Sequence, residues 1–188
     1  MNLVEDPWIP ARRRGGAKEA IAPWQITDNF AADPFVELAA PRPDFNGALI
    51  QFLIGLLQTC FAPEDGREWR VKRRTPPTSG DLRTAFNQVK AYFDVDRGDK
   101  RFLQETALLR EKRAVEHPIT YLLIDAPTDN TIKKNRDHFV KAADKRFAAT
   151  AEEGFCLPCA ASALFTMQAF APQGGGGGGG EVHELTGW

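Results

Sequence analysis

The stretch DFNGALIQFLIGLLQTCF, residues 44–61, decides the fold. Leu49, Phe52, Leu53, Leu56, Leu57 and Cys60 recur at the 3.6-residue spacing that lines them up on one helix face, and Ile50 and Ile54 widen that face. Asp44 stands just before the pattern with the side chain an N-cap needs, and Pro63 stops it. A helix apolar over so much of its circumference belongs at the centre of a core. Its longest apolar run, residues 48–57, is interrupted by Gln51 and falls short of the roughly 20 residues that span a bilayer. The expectation is therefore a core helix and no membrane partner.

Upstream, residues 2–4, 8–13 and 18–22 read as two short strands joined at Arg14-Gly15-Gly16, a hairpin. Pro7 and Pro10 suit an edge strand or a bulge and would be wrong in a central strand. Residues 27–43, broken by Asp33-Pro34 and Pro41-Arg42-Pro43, read as a packed connection holding at most a short helix. Downstream, residues 69–74 alternate loosely, which leaves a short strand and an extended basic arm both open. Thr78 or Ser79 caps a second helix whose stripe is Leu82, Phe86, Val89 and Phe93. Residues 97–99 form a turn, and Phe102 begins a further short helix that ends at His117-Pro118. Residues 119–124 are a short helix or a buried strand, which periodicity does not separate. A polar loop follows over 125–136, then a charged, alanine-rich stretch over 142–154. Pro158 fits the first turn of a last helix, which runs to about Phe170 and is stopped by Pro172. The sum is an α+β fold, mostly helical with a small N-terminal antiparallel sheet. One domain covers residues 1–172, and a glycine-rich loop and tail cover 173–188.

The 188 residues, 43% of them hydrophobic, supply material for one core. A formal charge of -1 excludes a uniformly basic nucleic-acid protein, so local patches decide. Residues 67–74 carry five basic side chains against one acid, and residues 133–146 carry six against two. Either run alone reads as a solvated face. Two runs together with a glycine loop shift the balance towards a polyanionic partner. The N-terminus has no basic start followed by an apolar run, so a cytoplasmic location is expected. Three cysteines, an odd number, argue for reduced thiols rather than a disulfide framework.

Cys156 and Cys159 form a Cys-x-x-Cys, open to a zinc reading, a thiol-redox reading and a reading as two small buried thiols. Zinc needs four ligands, so His138, His183 or Cys60 would have to complete the set. His117, His138 and His183 have no nucleophile at informative spacing, and no Walker loop, nucleophile elbow or His-Glu-x-x-His is present. The expectation is a protein that is not an enzyme and needs no cofactor. Phe139, with His138 before it and Lys141 after it, could stack on a base while cations hold phosphates, or could anchor its loop to the core. The seven glycines at 174–180 let backbone N–H groups approach a ligand that side chains would hold away, and a flexible linker has the same composition.

Several segments resemble one family, the CasA large subunits of type I-E CRISPR Cascade surveillance complexes. They are the opening MNLVEDPWIPAR, residues 38–59 (LAAPRPDFNGALIQFLIGLLQT), Asn130-Thr131 beside Asp137-His138-Phe139, and CLPCAASALF at 156–165 running to Ala171-Pro172 and glycine. The resemblance implies a non-enzymatic subunit of a crRNA complex. Such a subunit detects the protospacer-adjacent motif of double-stranded target DNA through the minor groove, and it provides a platform for a helicase-nuclease. It implies that Gln173, Gly174, Gly175 and Gly176 form the family's glycine loop at the minor groove. It also implies that the loop over 130–139 contacts DNA and docks at the crRNA 5' end, with Phe139 as its aromatic. Lys133, Lys134, Arg136 and Lys141 would then meet phosphates, and Asn130, Thr131 and Asn135 the RNA. Family members continue well beyond the glycine loop, into a C-terminal helical bundle. Here EVHELTGW at 181–188 stands where a threonine- and arginine-bearing segment is expected.

Overall fold

A computed structural model describes residues 1–98, 101–104 and 156–170. Three strands, β1 (Ile9–Arg13), β2 (Lys18–Ile21) and β3 (Phe35–Leu38), precede the helices α1 (Pro43–Cys60), α2 (Gly66–Arg74) and α3 (Ser79–Phe86). After a 3₁₀ turn at Lys90–Tyr92 comes the last described helix, α4 (Leu157–Phe170). The architecture is α+β, as the sequence predicts.

The β1–β2 hairpin pairs antiparallel with Ile9 opposite Ile21 and Arg12 opposite Lys18. Its turn closes where the Gly16 N–H donates to the Arg13 carbonyl (2.9 Å), with Gly16 at φ 95, a left-handed conformation that a residue lacking Cβ adopts without strain. The sheet nevertheless corrects two expectations. Residues 27–43 contain strand β3, and the order β2-β1-β3 makes β1 the central strand with Pro10 inside it. Pro10 is tolerated because of where its missing donor falls. Its carbonyl accepts from the Ala39 N–H (2.7 Å), and the return bond is the one proline cannot make, so β3 ends at Leu38. A register shift between Arg12 and Arg13 interrupts the ladder near its other end, where Arg13 pairs with Phe35.

Helix α1 starts two residues earlier than expected. Pro43 occupies the first turn, the N-cap is Arg42, and Asp44 is not the cap. Its carboxylate instead receives the Arg42 guanidinium in a two-pronged bond, 2.7 Å from Nη2 and 3.1 Å from Nε. Ala48, Leu49, Phe52 and Leu56 are buried as the period requires, but Ile50 and Ile54 stay about half exposed, so the apolar face is narrower than the sequence implies. Residues 66–74 are a helix, neither a strand nor an extended arm. Asp65 caps it by accepting from the N–H groups of Arg67 (2.8 Å) and Glu68 (2.7 Å). Thr78 caps α3 in a reciprocal box with Asp81. Of the stripe predicted for that helix, only Leu82 and Phe86 lie in it. Val89 and Phe93 reach the core from the turns that follow. Phe102 begins no helix within the described residues: Arg101 and Gln104 bridge around it, Leu103 sits at φ 52, and the Phe102 ring is buried.

The core lies between the sheet and the helices, with Phe52 at its middle. Its ring meets Trp8 (5.4 Å) and Phe165 (5.4 Å) edge-on and Phe93 at 5.9 Å, while Phe93 and Phe102 stack at 5.4 Å. These are the geometries the aromatic quadrupole favours. The N-terminal segment is tied to the same layer by Leu3 N–H to Phe93 O (2.9 Å) and Val95 N–H to Met1 O (3.0 Å).

Candidate nucleic-acid interface

Helix α4 carries the glycine run, and its attachment to the core is the part of that site the described residues include. The helix packs along α1. Ala161, Ala163 and Thr166 are fully buried and Ser162 nearly so. The small side chains let the two backbones approach. The two hydroxyls are satisfied inside the helix, Ser162 Oγ donating to the Pro158 carbonyl (2.9 Å) and Thr166 Oγ1 to the Ser162 carbonyl (2.7 Å), so burying them leaves no orphaned donor. At its far end the Phe170 ring lies against Gly47 of α1, where a Cβ would sit 3.6 Å from Cζ. The last residue of the helix is therefore an aromatic set against α1, four residues before the glycine run in sequence.

The residues predicted for base, phosphate and RNA contact lie outside the described residues. They are Gln173, Gly174, Gly175 and Gly176 of the glycine loop, and Asn130, Thr131, Lys133, Lys134, Asn135, Arg136, Phe139 and Lys141 of the long loop. Cys156 and Cys159 are described. Cys156 is exposed at the start of α4 and Cys159 half-buried one turn on. Burial, reinforced by its hydrogen bond with Cys156, pushes the Cys159 thiol up to about 12. A thiol held protonated is a poor nucleophile at neutral pH. Among the described residues no three His, Cys, Asp or Glu side chains converge as a metal site. Within the same residues no helix is long and apolar enough to cross a membrane.

The other basic run, on α2, is described in full. Glu68 and Lys72 face inward. Lys72 Nζ reaches Glu68 (3.0 Å) and the Phe61 carbonyl (3.1 Å) and sits 4.1 Å from the centre of the Phe61 ring. Glu68 accepts from the Glu64 N–H (2.5 Å), and this bond, ahead of Lys72, holds its carboxyl below the usual glutamate value. Arg67, Arg70, Arg73 and Arg74 are exposed, as are Trp69 and Val71. The sequence signal for this helix was present in Asp65 followed three residues later by Glu68, an N-cap pattern that the loose alternation of 69–74 obscured.

Comparison with known proteins places this fold. The chain matches the family described as CRISPR-associated protein Cse1 over residues 2–188. Cse1 of Thermobifida fusca superposes with a TM-score of 0.63 at 19% identity, covering 90% of this chain and 30% of that one. CasA of Thermus thermophilus superposes at 0.57 with 24% identity, covering 92% of this chain and 31% of that one. The chain thus spans less than a third of the length of either protein. No curated protein sequence matches it. The match over all but the first residue, on a fold shared with these two structures, shows that the chain belongs to the Cse1 family of CRISPR-associated proteins.

Proposed function

We propose that the chain is the DNA-reading part of the large subunit of a type I-E Cascade complex, assembled with crRNA and the other subunits. In this reading the loop at Gln173, Gly174, Gly175 and Gly176 brings backbone amides against the minor groove of the protospacer-adjacent motif. Lys133, Lys134, Arg136 and Lys141 hold phosphates beside Phe139, and Asn130, Thr131 and Asn135 meet the crRNA. The complex then recruits a helicase-nuclease, with no catalytic step on this chain.

Membership of the Cse1 family supports this reading. The single structural observation that carries it is the anchoring of α4, whose last residue Phe170 rests on Gly47 just before the glycine run. Anchoring one end of the glycine segment limits where it can reach, which lowers the positional freedom it would lose on binding a ligand. Replacing Gly176 by Val in the reconstituted complex tests it. Binding to duplexes with and without the motif is expected to become equal, and unchanged discrimination overturns the reading.

A second reading, a subunit that only docks onto the complex, is favoured by the half-exposed Ile50 and Ile54 of α1. It expects Ile54→Asp to release the chain from the complex, while deletion of residues 173–188 leaves DNA binding intact.

A further inference from the structure

Helix α2 carries a charge pattern that the glycine-loop reading does not use. At 3.6 residues per turn, Arg73, Arg70, Arg74 and Arg67 fall within an arc of about 120° opposite the inward-facing Glu68 and Lys72. All four are exposed, and α2 buries no residue at all. Elsewhere among the described residues Arg12 pairs with Glu37, Arg13 with Glu19 and Arg83 with Glu5. On α2 the acids are already engaged, Glu68 by Lys72 and the Glu64 N–H, and Asp65 by the helix's own N–H groups. Arg67, Arg70 and Arg74 have no acidic partner among the described residues. The helix dipole accounts for cations in the last turn, but Arg67 sits in the first turn, where the dipole opposes a positive charge.

We propose that this arginine arc is a sequence-independent docking surface for the phosphate backbone of duplex DNA. From Arg67 to Arg74 the arc runs about 10 Å along the helix axis. Duplex DNA presents one charge per about 1.7 Å of its axis, so about six phosphates fall within that length. Guanidinium groups match phosphate geometry with paired donors. Trp69 argues against a single strand as the occupant: the Arg73 guanidinium lies 5.3 Å from its ring centre and takes a face that a base would stack on. Trp69 and Val71 also flank opposite edges of the arc, so the helix has no continuous apolar face to sink into a lipid surface. The choice of DNA as the anion rests on the function proposed above, but the contact is independent of the motif and of the glycine loop.

The test uses the full chain and a labelled duplex without the motif, titrated between about 50 and 200 mM salt. R67Q/R70Q/R74Q is expected to reduce the slope of log affinity against log salt by about 2–3, at about 0.9 per phosphate contact, and to weaken low-salt binding by about tenfold or more. R67K/R70K/R74K should retain the slope, since lysine keeps the charge. Circular dichroism should be unchanged in both, because no buried side chain is altered. An unchanged slope in the glutamine variant overturns the proposal. So does a wild-type preference for single-stranded RNA, an acidic peptide or phosphatidylserine vesicles over the duplex. Loss of motif discrimination in Gly176→Val with the α2 slope intact would separate the two contacts, and either can fail without the other.

Discussion

Arg42 is 1% exposed, yet it is charged and lies between two prolines in a segment that reads as a surface break. Its burial is helped by the groups that converge on its guanidinium, among them both oxygens of Asp44 and the Phe45 ring face 4.6 Å away. The planar fork makes a bidentate bond that lysine could not. The pair holds the first turn of α1 against the layer formed by Phe45, Ala163 and Met167, and so steadies the part of α4 that precedes the glycine run. Arg42→Ala leaves the Asp44 charge buried and without that partner, and stability should fall by about 3–5 kcal/mol, read from the urea midpoint. Sequence reasoning saw Asp44 as a cap because an aspartate before an apolar run usually is one. Arg42, only two residues away, makes it a counter-ion instead, and the fold buries both members of the pair.

Among the elements, α3 shows how a local signal survives intact. Thr78 Oγ1 accepts from the Asp81 N–H (3.2 Å), and the Asp81 carboxylate receives the Thr78 hydroxyl (2.7 Å) and N–H (3.1 Å). Thr78→Ala should cost about 1 kcal/mol through the lost cap. The hydroxyl bond, followed by the backbone bond, holds the Asp81 carboxyl below its ordinary value of 3.8. Its folded value lies below the unfolded one, so the ionised carboxylate contributes stability above the ordinary aspartate range, and that contribution vanishes as pH falls through the folded value. Urea midpoints followed from neutral pH into acid should therefore fall less steeply for Asp81→Asn than for the wild type across that window. Helix α2 illustrates the opposite case. Its Asp65 cap is a local signal, but the helix buries no residue, so it lacks the apolar stripe by which helices are usually found and its sequence does not read as one.

At the scale of the molecule, Phe52 joins parts of the chain far apart in sequence. Trp8 comes from the segment leading into β1, Phe93 and Phe102 from the turns after α3, and Phe165 from α4. Phe52→Ala removes the ring all four share and should destabilise the chain by about 3–5 kcal/mol in a single cooperative transition, measured by chemical denaturation. A groove of about 370 Å³ opens beside this ring, lined in part by Gly55, Leu56, Leu103 and Phe165.

What the sequence determined by itself is whatever depends on near neighbours along the chain. The α1 period, the Gly16 turn, the Thr78 box and the first turn of α4 around Pro158 are all set within one or two turns, where propensity and capping act. The order of glycines after Ala171-Pro172, with the other quoted segments, was enough to point to the family. The tertiary structure decided what depends on distant partners. It made β1 central despite Pro10, because β3 stops where the missing N–H would be needed. It left Ile50 and Ile54 half exposed, because no described element packs over them. Helical period fixes which side chains share a face, but which face is covered depends on packing against elements remote in sequence.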